Sequence, residues 1–295
     1  MKILTILIVF VITAVTAAAV EIYRELHHFC VTDYTIRQTK LSGLTDEAVI
    51  VFLSDLHCRT YGKNNEKLFR AVTEAKPDLI LIGGDMLVGK KHADCTAALE
   101  FVKILPSVAP VYYALGNHEG RMKENPEIYG YAYERFKADA MRAGVVFLEN
   151  KSVTAECRGI PIRVAGLELP DHTYKKFRKA AVTPVTVEKS LVQEPAVTGD
   201  PYTVLLAHNP VYMDAYLGWG ADLVLSGHLH GGLVRVPGLG GIVTPQGFFF
   251  PRYSGEITRK GEQTVIVSRG LGTHTLNIRL FNMPELIVIR LKKPL

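Results

Sequence analysis

Five short motifs in the sequence combine residue types that bind metal ions. They read Ser54-Asp55-Leu56-His57, Gly83-Gly84-Asp85, Gly116-Asn117-His118-Glu119, His208-Asn209 and Gly227-His228-Leu229-His230. Their carboxylate, amide and imidazole groups suit borderline divalent metals such as Mn, Fe, Zn or Co. The lack of cysteine in the motifs argues against a thiolate site, and the number of histidines argues against an all-oxygen Ca²⁺ or Mg²⁺ site.

The spacing inside the motifs lets pairs of candidate ligands converge. The first contains Asp-x-His and the last contains His-x-His, so on an extended segment both side chains point to the same side. A glycine precedes Asp85, Asn117 and His228, which permits a sharp turn. One such motif alone is more often a core histidine or a helix N-cap. Five of them in order are not a coincidence and indicate that the motifs together form one metal-binding region.

Each motif follows a short apolar run that predicts a strand buried on both faces. These runs span 48–53, 78–82, 110–115, 203–207 and 222–225. Helical spacing is found over 64–75, 91–105 and 129–143. Strand–helix–strand units that recur at about 30 residues are typical of parallel βαβ crossovers. Because the carboxyl ends of parallel strands meet at one edge of a sheet, we expect the motifs to lie together there.

Other parts of the chain have different patterns. Residues 145–165 and 264–291 look like consecutive strands without long helices, which predicts a mixed α/β domain with two β-layers. Residues 171–201 are polar, with a KKFRK run followed by several prolines and acidic residues. We expect this segment to be an exposed insertion or cap.

The ordered motifs SDLH, GGD, GNHE, AHNP and GHLH resemble those of the calcineurin-like metallophosphoesterase superfamily, over residues 48–292. Within it, the chain looks most like the bacterial membrane-associated phosphodiesterases. That similarity extends to 231–255 and to the sequences SRGLG and IRLFNMPEL near the end. The resemblance implies an α/β fold, namely a four-layer α/β/β/α sandwich with two mixed sheets and a two-metal site at the strand ends.

Carried over motif by motif, the resemblance implies two divalent metal ions. The first would be held by Asp55, His57, Asp85 and His230, and the second, bridged by Asp85, would be completed by Asn117, His208 and His228. Two ions about 3.5–4 Å apart bind a bridging hydroxide and neutralise phosphoryl oxygens. The implied reaction is hydrolysis of a phosphodiester or pyrophosphate bond.

The resemblance also leaves His118 without a metal and close to the substrate, where an imidazole acts as a general acid or stabilises charge on phosphorus. Glu119 would orient His118, or it is simply a glutamate at a helix N-terminus. Arg121 would clamp a phosphate, or it is a solvated surface arginine. His274, near the terminal strands, is the third candidate substrate contact.

Departures from the family pattern narrow the expected substrate. Phosphoprotein phosphatases of this superfamily carry GDxxDRG at the second motif, whereas this chain has GDMLVG and lacks the arginine that grips phosphate. We therefore expect a diesterase or pyrophosphatase rather than a protein phosphatase. The last motif reads GHLHGGL where close relatives often have GHTHGGQ, so Leu229 and Leu233 replace polar side chains without loss of a ligand.

The N-terminus predicts a membrane anchor. Residues 3–20 are uncharged and apolar, and as a helix rising about 1.5 Å per residue they would just cross a bilayer core. Cleavage after the alanines at 17–19 is the alternative, but the run is longer than most signal-peptide cores. We expect a signal-anchor helix over 1–22, a juxtamembrane segment over 23–47 and the catalytic domain over 48–295. Basic residues flank the helix almost equally, and we favour an extracytoplasmic domain at the cell membrane.

Composition excludes several other classes of protein. A chain of 295 residues that is 48% hydrophobic is neither disordered nor a small disulfide-rich domain. Its net charge of +5 is too small to indicate a nucleic-acid partner, and no protein partner is implied. The four cysteines are Cys30, Cys58, Cys95 and Cys157. They show no framework spacing, so we expect free thiols or cysteines without a special role rather than a disulfide scaffold. This absence of pairing fits a reducing compartment slightly better, whereas the leader-like N-terminus fits export.

The substrate and the competing functions stay open at this point. The anchor and the aromatic run at 248–250 favour a lipid-linked or nucleotide-sugar diphosphate, although such aromatic clusters more often only pack. The basic run at 175–179 either contacts anionic headgroups or is simply solvated. A nuclease of the same superfamily would bind DNA in a salt-dependent way. A non-catalytic membrane-anchored binding module would lack metal ligands.

Overall fold

Apolar segments rich in Val, Ile and Leu form two six-stranded β-sheets in the computed structural model, which describes residues 2–192, 200–232, 235–236, 240–273 and 277–295. In spatial order, the first sheet contains β1 (Cys30–Arg37), β14 (Glu285–Lys292), β2 (Ala48–Leu53), β3 (Leu79–Ile82), β4 (Val111–Tyr113) and β5 (Val145–Phe147). The second contains β12 (Ile257–Lys260), β13 (Gln263–Val267), β9 (Leu223–Ser226), β8 (Tyr202–Ala207), β7 (Ile160–Leu167) and β6 (Lys151–Cys157). Two further short strands, β10 (Arg235–Val236) and β11 (Gly240–Gly241), pair with each other.

Both sheets are mixed. Strands β2, β3, β4 and β5 are parallel, and so are β7, β8, β9 and β13. Antiparallel pairs join β14 to β2, β6 to β7 and β12 to β13. The strands that precede the five motifs are therefore parallel within each sheet, and their carboxyl ends share an edge.

Helices cover the outer faces of the two sheets. The described helices are α1 (Lys2–His27), α2 (Glu66–Glu74), α3 (Thr96–Ile104), α4 (Asn117–Glu124), α5 (Pro126–Tyr129), α6 (Ala132–Arg142), α7 (Pro184–Ser190) and α8 (Met213–Trp219). Phe101 of α3 and Phe136 of α6 belong to the apolar core on the outer face of the first sheet. Val187 of α7 and Tyr216 of α8 belong to the core on the outer face of the second sheet.

The period-two alternation of β2 shows how the layers pack. Val51 and Leu53 face the helices, whereas Ile50 and Phe52 face the second sheet. All four are fully buried, and each contributes about 1.5–3 kcal/mol by leaving water. With a third core outside the second sheet, the layers are helix, sheet, sheet and helix. The predicted four-layer α/β/β/α sandwich is confirmed, and β2 coincides with the apolar run predicted at 48–53.

The N-terminal region differs from the prediction in two respects. Among the described residues, Lys2–His27 is a helix long and apolar enough to cross a membrane, judged by length and composition. It extends past the predicted end at 22. The segment predicted as juxtamembrane, 23–47, contains β1, which pairs in parallel with β14. The folded domain therefore includes residues 30–37, because the backbone of this strand forms part of the first sheet.

The prediction of four free thiols is also corrected. Cys58 and Cys95 form a disulfide, while Cys30 and Cys157 are free. Cys58 directly follows His57, and Cys95 is the residue before α3. The cross-link therefore ties the first motif to the helical layer.

The segment predicted as an exposed insertion or cap, 171–201, has two parts in the described residues. Lys175–Lys179 is exposed, as expected. In contrast, α7 packs beside α8 against the second sheet, with Val187 and Leu191 buried, so this part belongs to the outer helical layer. Residues 193–199 lie outside the described residues.

Candidate metal centre

The five motifs lie together where the carboxyl ends of β2, β3 and β4 meet those of β8 and β9. Five of the seven predicted ligands have a left-handed backbone, namely Asp55 (φ 55°), His57 (φ 49°), Asp85 (φ 55°), His228 (φ 66°) and His230 (φ 50°). This conformation costs a non-glycine residue about 1–3 kcal/mol and persists where surrounding contacts enforce it. Such strain at one cluster is typical of a functional site.

Two glycines of the motifs are required by close approach. A side chain at Gly116 would collide with the carboxylate of Asp85, and one at Gly227 would collide with the carboxylate of Asp55. The absence of a Cβ atom therefore lets the backbone of one motif pack directly against the acidic residue of another.

Asp55, His57 and His230 form the first group of candidate ligands, with ligand atoms that lie within 4.8 Å of one another. His230 Nε2 is 3.4 Å from Asp55 Oδ1 and 3.1 Å from His57 Nε2. Ligand atoms at about 2.1 Å from one ion lie roughly 3–4 Å apart. The group therefore fits a bound divalent cation.

Asp85, His208 and His228 form the second group, again within 4.8 Å. His208 Nε2 is 3.1 Å from Asp85 Oδ2. Asn117, the first residue of α4, lines the same cleft as His228. Its Oδ1 atom is buried and accepts no hydrogen bond from the described part of the chain. Because a buried carbonyl oxygen is rarely left unsatisfied, this atom also fits a ligand to a cation.

Asp85 connects the two groups, and with His57 and His118 it forms a third group whose ligand atoms lie within 4.8 Å of one another. Its Oδ1 atom accepts a hydrogen bond of 2.8 Å from the backbone N–H of His118. Its Oδ2 atom lies 3.1 Å from His208 Nε2 and 3.8 Å from His57 Nε2. One carboxylate oxygen is thus fixed by the backbone, and the other faces an imidazole of each group.

The electrostatics of the centre favour added positive charge. Burial, opposed by His208 and reinforced by the charge of Asp85, raises the pKa of Asp55 to about 6. Burial acts in the same direction on Asp85, but His208 and His118 outweigh it and hold the pKa of Asp85 well below its ordinary value. Burial opposes a proton on His208, yet Asp85 and Asp55 raise its pKa to about 10. A divalent cation would supply the positive charge that this buried proton otherwise provides.

Backbone carbonyls orient two of the imidazoles. His208 Nδ1 is 2.7 Å from the carbonyl oxygen of Gly83, and His230 Nδ1 is 3.3 Å from that of Gly272. When each Nδ1–H donates to its carbonyl, the Nε2 lone pair faces the centre. This arrangement is typical of histidines that bind metals.

His118 has the opposite orientation of its two ring nitrogens. The backbone N–H of Gly89 donates a hydrogen bond of 2.7 Å to His118 Nδ1. In the neutral ring the proton is therefore on Nε2, which lies 4.0 Å from Asp85 Oδ2. His118 also lines the cleft, so this N–H can reach a bound substrate.

Glu119 has the second of the two positions expected for it, that of a glutamate at a helix N-terminus. Its fully buried carboxylate accepts hydrogen bonds from the backbone N–H groups of Asp85, Leu87 and Gly116 and from the hydroxyl of Tyr113. Burial, with a further contribution from the charge of Asp85, raises the pKa of Glu119 to about 7. The side chain therefore holds the backbone of the Asp85 loop, and it is not among the described residues that line the cleft.

The centre lies at the base of a cleft of about 590 Å³. Three cationic side chains line it, Lys90, Arg121 and Lys176, and no carboxylate is among its described lining residues. Arg121 Nε is 3.7 Å from Asp171 Oδ1 at the cleft mouth. The cleft is therefore suited to a phosphate group.

Sequence patterns missed several residues of the cleft. The Tyr174 ring packs on that of His228, with centroids 5.1 Å apart, and Gln246 lines the same wall. Lys90 also had no sequence signal, whereas Lys176 belongs to the basic run at 175–179. The predicted substrate contact His274 lies outside the described residues.

Comparison with known proteins gives a consistent result. A family model described as calcineurin-like phosphoesterase matches residues 48–232. The chain is 26% identical over 285 residues to the phosphodiesterase YaeI of Escherichia coli (strain K12), covering 95% of this chain and 96% of that protein. It is 25% identical over 279 residues to the uncharacterized metallophosphoesterase YkuE of Bacillus subtilis (strain 168), covering 92% and 88%.

Among solved structures, the phosphopantetheinyl hydrolase PptH from Mycobacterium tuberculosis aligns with 76% of this chain and 90% of that chain. The sequence identity is 17% and the TM-score is 0.45.

Proposed function

Because the chain belongs to the calcineurin-like phosphoesterase family and is therefore a hydrolase of phosphoester bonds, we propose that it is a phosphodiesterase or pyrophosphatase with two divalent metal ions. Mn, Fe, Zn and Co all suit the mixed carboxylate, amide and imidazole ligands. The substrate is a small or lipid-linked phosphoester.

One observation carries the proposal of two ions. Asp85 Oδ2 lies within 4 Å of Nε2 of His57, which belongs to the first ligand group, and of Nε2 of His208, which belongs to the second. A carboxylate shared in this way can bridge two cations. Two separate single-ion sites would not require a common oxygen.

In this assignment six of the seven ligands hold one ion each, and Asp85 holds both. Asp55, His57, Asp85 and His230 hold one ion, and Asp85, Asn117, His208 and His228 hold the other. The ions lower the pKa of water and neutralise the phosphoryl oxygens. The hydrogen bonds of the ligands to the backbone keep this arrangement rigid before the substrate arrives.

His118 is proposed to stabilise the charge that develops on the oxygens of the phosphoester. The N–H of Gly89 occupies its Nδ1 lone pair, which leaves the proton on Nε2 toward the cleft. As the phosphoester bond breaks, the leaving oxygen gains negative charge and accepts a hydrogen bond from this Nε2–H, which stays on the ring, while solvent water supplies the proton of the product alcohol. Arg121 and Lys90 attract the phosphate group to the cleft and hold it over the centre.

We further propose that α1 anchors the protein in the cell membrane, with the catalytic domain on the extracytoplasmic side. The length and hydropathy of Lys2–His27 support the anchor. The Cys58–Cys95 disulfide supports the side, since such bonds persist in oxidising compartments. A lipid-linked or nucleotide-sugar diphosphate is the substrate class that fits both the cleft and the location.

The test is hydrolysis of bis-p-nitrophenyl phosphate by the full chain in detergent, first stripped of metal and then supplied with Mn²⁺. We expect turnover to depend on the metal and to be abolished in Asp85→Asn. The matched control is Asp46→Asn, an exposed aspartate whose side chain contacts only the next backbone N–H among described residues. Thermal unfolding of each variant shows whether it has folded.

Three results would overturn parts of the proposal. Turnover retained in folded Asp85→Asn would contradict the bridging role. Stoichiometric metal without turnover would favour a non-catalytic binding module. Salt-dependent cleavage of DNA, stronger than cleavage of the diester, would favour the nuclease.

A further inference from the structure

Four phenylalanines outside α1 are mostly exposed in the described part of the chain. Their exposed fractions are 74% for Phe177, 68% for Phe249, 68% for Phe250 and 56% for Phe281. Phe177, Phe250 and Phe281 have a left-handed backbone, with φ of 55°, 48° and 55°. A bulky residue in this conformation is a real outlier. Exposed aromatic rings on strained backbone need an explanation beyond packing of the domain, because they bury little surface.

Three of these phenylalanines belong to segments that also line the cleft. The backbone N–H of Phe177 donates a hydrogen bond of 2.9 Å to the carbonyl of Gln246, so the segment at 173–177 joins the turn at 242–250. Phe249 and Phe250 lie at the end of that turn. Lys176 and Gln246 line the cleft itself. Each of the three phenylalanines is therefore within four residues of a cleft-lining residue along the chain.

Phe281 belongs to the loop at 277–282, which contains one cleft-lining residue and is joined to α1. Asn277 lines the cleft, and its Oδ1 accepts a hydrogen bond of 3.2 Å from the guanidinium of Arg59. The same guanidinium donates to the carbonyl of Leu26 in α1. Glu25 Oε1 accepts a hydrogen bond of 2.8 Å from the backbone N–H of Asn282. The loop at 277–282 is thus held against the end of α1.

The contact between Glu25 and the loop at 277–282 fixes the distance of this loop from the apolar run of α1. Glu25 follows the apolar run at 3–20 by five residues, which is about 7.5 Å along a helix axis. The headgroup layer on each side of a bilayer is roughly 5–8 Å thick. If α1 spans the bilayer, the loop at 277–282 lies at the level of the headgroups.

The charge of the margin matches an anionic surface. Lys175, Lys176, Arg178 and Lys179 are all exposed. Neither 172–187 nor 242–253 contains an acidic residue. Basic residues attract anionic lipids, while aromatic rings favour the membrane–water interface.

We infer that Phe177, Phe249, Phe250 and Phe281, with the basic run at 175–179, form a bilayer-contact surface that lies in the headgroup layer of an anionic membrane. The cleft then opens toward that layer, and the phosphodiester or pyrophosphate that it hydrolyses is part of a lipid. The bilayer contact rests on the proposed anchor but not on the proposed chemistry, whereas the lipid substrate rests on both.

The contact is tested by fluorescence of full-length protein in vesicles of phosphatidylcholine and phosphatidylglycerol. In a Trp219→Phe background, which removes the single native tryptophan, Phe249→Trp provides a probe at the surface. We expect blue-shifted emission and quenching by lipids with brominated acyl chains. Replacing phosphatidylglycerol with phosphatidylcholine should weaken both effects.

The matched control is Leu295→Trp in the same background. Leu295 is fully exposed and follows β14, which runs antiparallel to β2, so it lies at the opposite end of the first sheet from the ligands. Its emission should resemble that of tryptophan in water, without quenching. Equal quenching of the two probes, or of neither, would overturn the bilayer contact.

Kinetics test the lipid substrate with the double variant Phe249→Ser/Phe250→Ser. The probes are soluble bis-p-nitrophenyl phosphate and diacylglycerol p-nitrophenyl phosphate embedded in the same vesicles. We expect unchanged turnover of the soluble diester and a loss of about tenfold on the embedded one. Equal rates for variant and wild type on the embedded diester would overturn the inference. Absence of turnover by the wild type on both probes would instead contradict the proposed function.

Discussion

The buried centre and the margin of the cleft use the same backbone conformation in different surroundings. In the centre, Asp85 has a left-handed backbone and a carboxylate fixed by the N–H of His118. At the margin, Phe177 and Phe250 have a left-handed backbone but mostly exposed rings. In the centre, hydrogen bonds within the protein offset the cost of the left-handed backbone. At the margin, contact of the exposed rings with a membrane would offset it. Changes in the centre should affect chemistry, and changes at the margin should affect access.

Among substitutions in the centre and at the margin, loss of a metal ligand should reduce activity the most. His228→Ala removes an imidazole of the second group, so hydrolysis of bis-p-nitrophenyl phosphate should fall about 10³-fold or more. Metal analysis should show reduced stoichiometry in the folded protein. His172→Ala, an exposed histidine outside the two groups, is the control. If His228→Ala keeps full metal content and activity, His228 is not a metal ligand, and the centre is no more sensitive to substitution than the margin.

His118→Asn should reduce the hydrolysis rate less than loss of a ligand does, and by an amount that depends on the substrate. A hydrogen-bond donor to a developing oxyanion contributes about 10²–10³-fold. The variant should therefore lose about 10²-fold on an alkyl phosphodiester, whose leaving oxygen carries a localised charge, and much less on bis-p-nitrophenyl phosphate, because p-nitrophenolate delocalises its charge into the ring. Metal content should be unchanged. Equal losses on the two substrates would indicate a role other than stabilisation of the leaving oxygen.

Removal of the Cys58–Cys95 disulfide tests how much this cross-link stabilises the fold and the metal centre. Cys58 and Cys95 are 37 residues apart, and a loop of this size stabilises the fold by about 4 kcal/mol in the chain-entropy model. Cys95→Ser should lower the melting temperature by several degrees and weaken metal binding, because Cys58 follows His57. Cys30→Ser, which changes a free thiol, should have little effect. An unchanged melting temperature in Cys95→Ser would contradict the cross-link.

The smallest effect is expected from a charge at the margin. Lys90 is exposed and lines the cleft, so Lys90→Ala should raise KM a few-fold with little change in kcat. The difference in KM between Lys90→Ala and the wild type should disappear at high salt. Lys260→Ala, in β12 and outside the cleft lining, should leave KM unchanged. A loss in kcat that persists at high salt would indicate that Lys90 acts in the chemistry itself.

The sequence predicted the sandwich and the clustering of its motifs because both depend on strongly constrained residues. Parallel strands buried on two faces need unbroken apolar runs, and β2 and β8 have them. A ligand must also have a particular chemical group, so Asp55 and His208 were recognisable before any contact was known.

The features that were missed depend on contacts between distant segments. β1 reads CVTDYTIR, with mostly exposed or half-buried residues, as expected for an edge strand, so its apolar signal is weak. Cys58 and Cys95 have no characteristic spacing. The role of Glu119 depends on backbone N–H groups that converge from separate loops, and no residue pattern records that convergence.

The position of β14 between β1 and β2 has a consequence for biosynthesis. β1 pairs only with β14 within its sheet, and Thr32 donates to Glu285 across 253 residues of sequence. α1 and β1 leave the ribosome early, but β1 finds its partner only after residues 285–292 have been translated. Contacts of such long sequence separation form slowly. A truncation that removes β14 should therefore leave a nascent chain with an open sheet, exposed to chaperones and proteases.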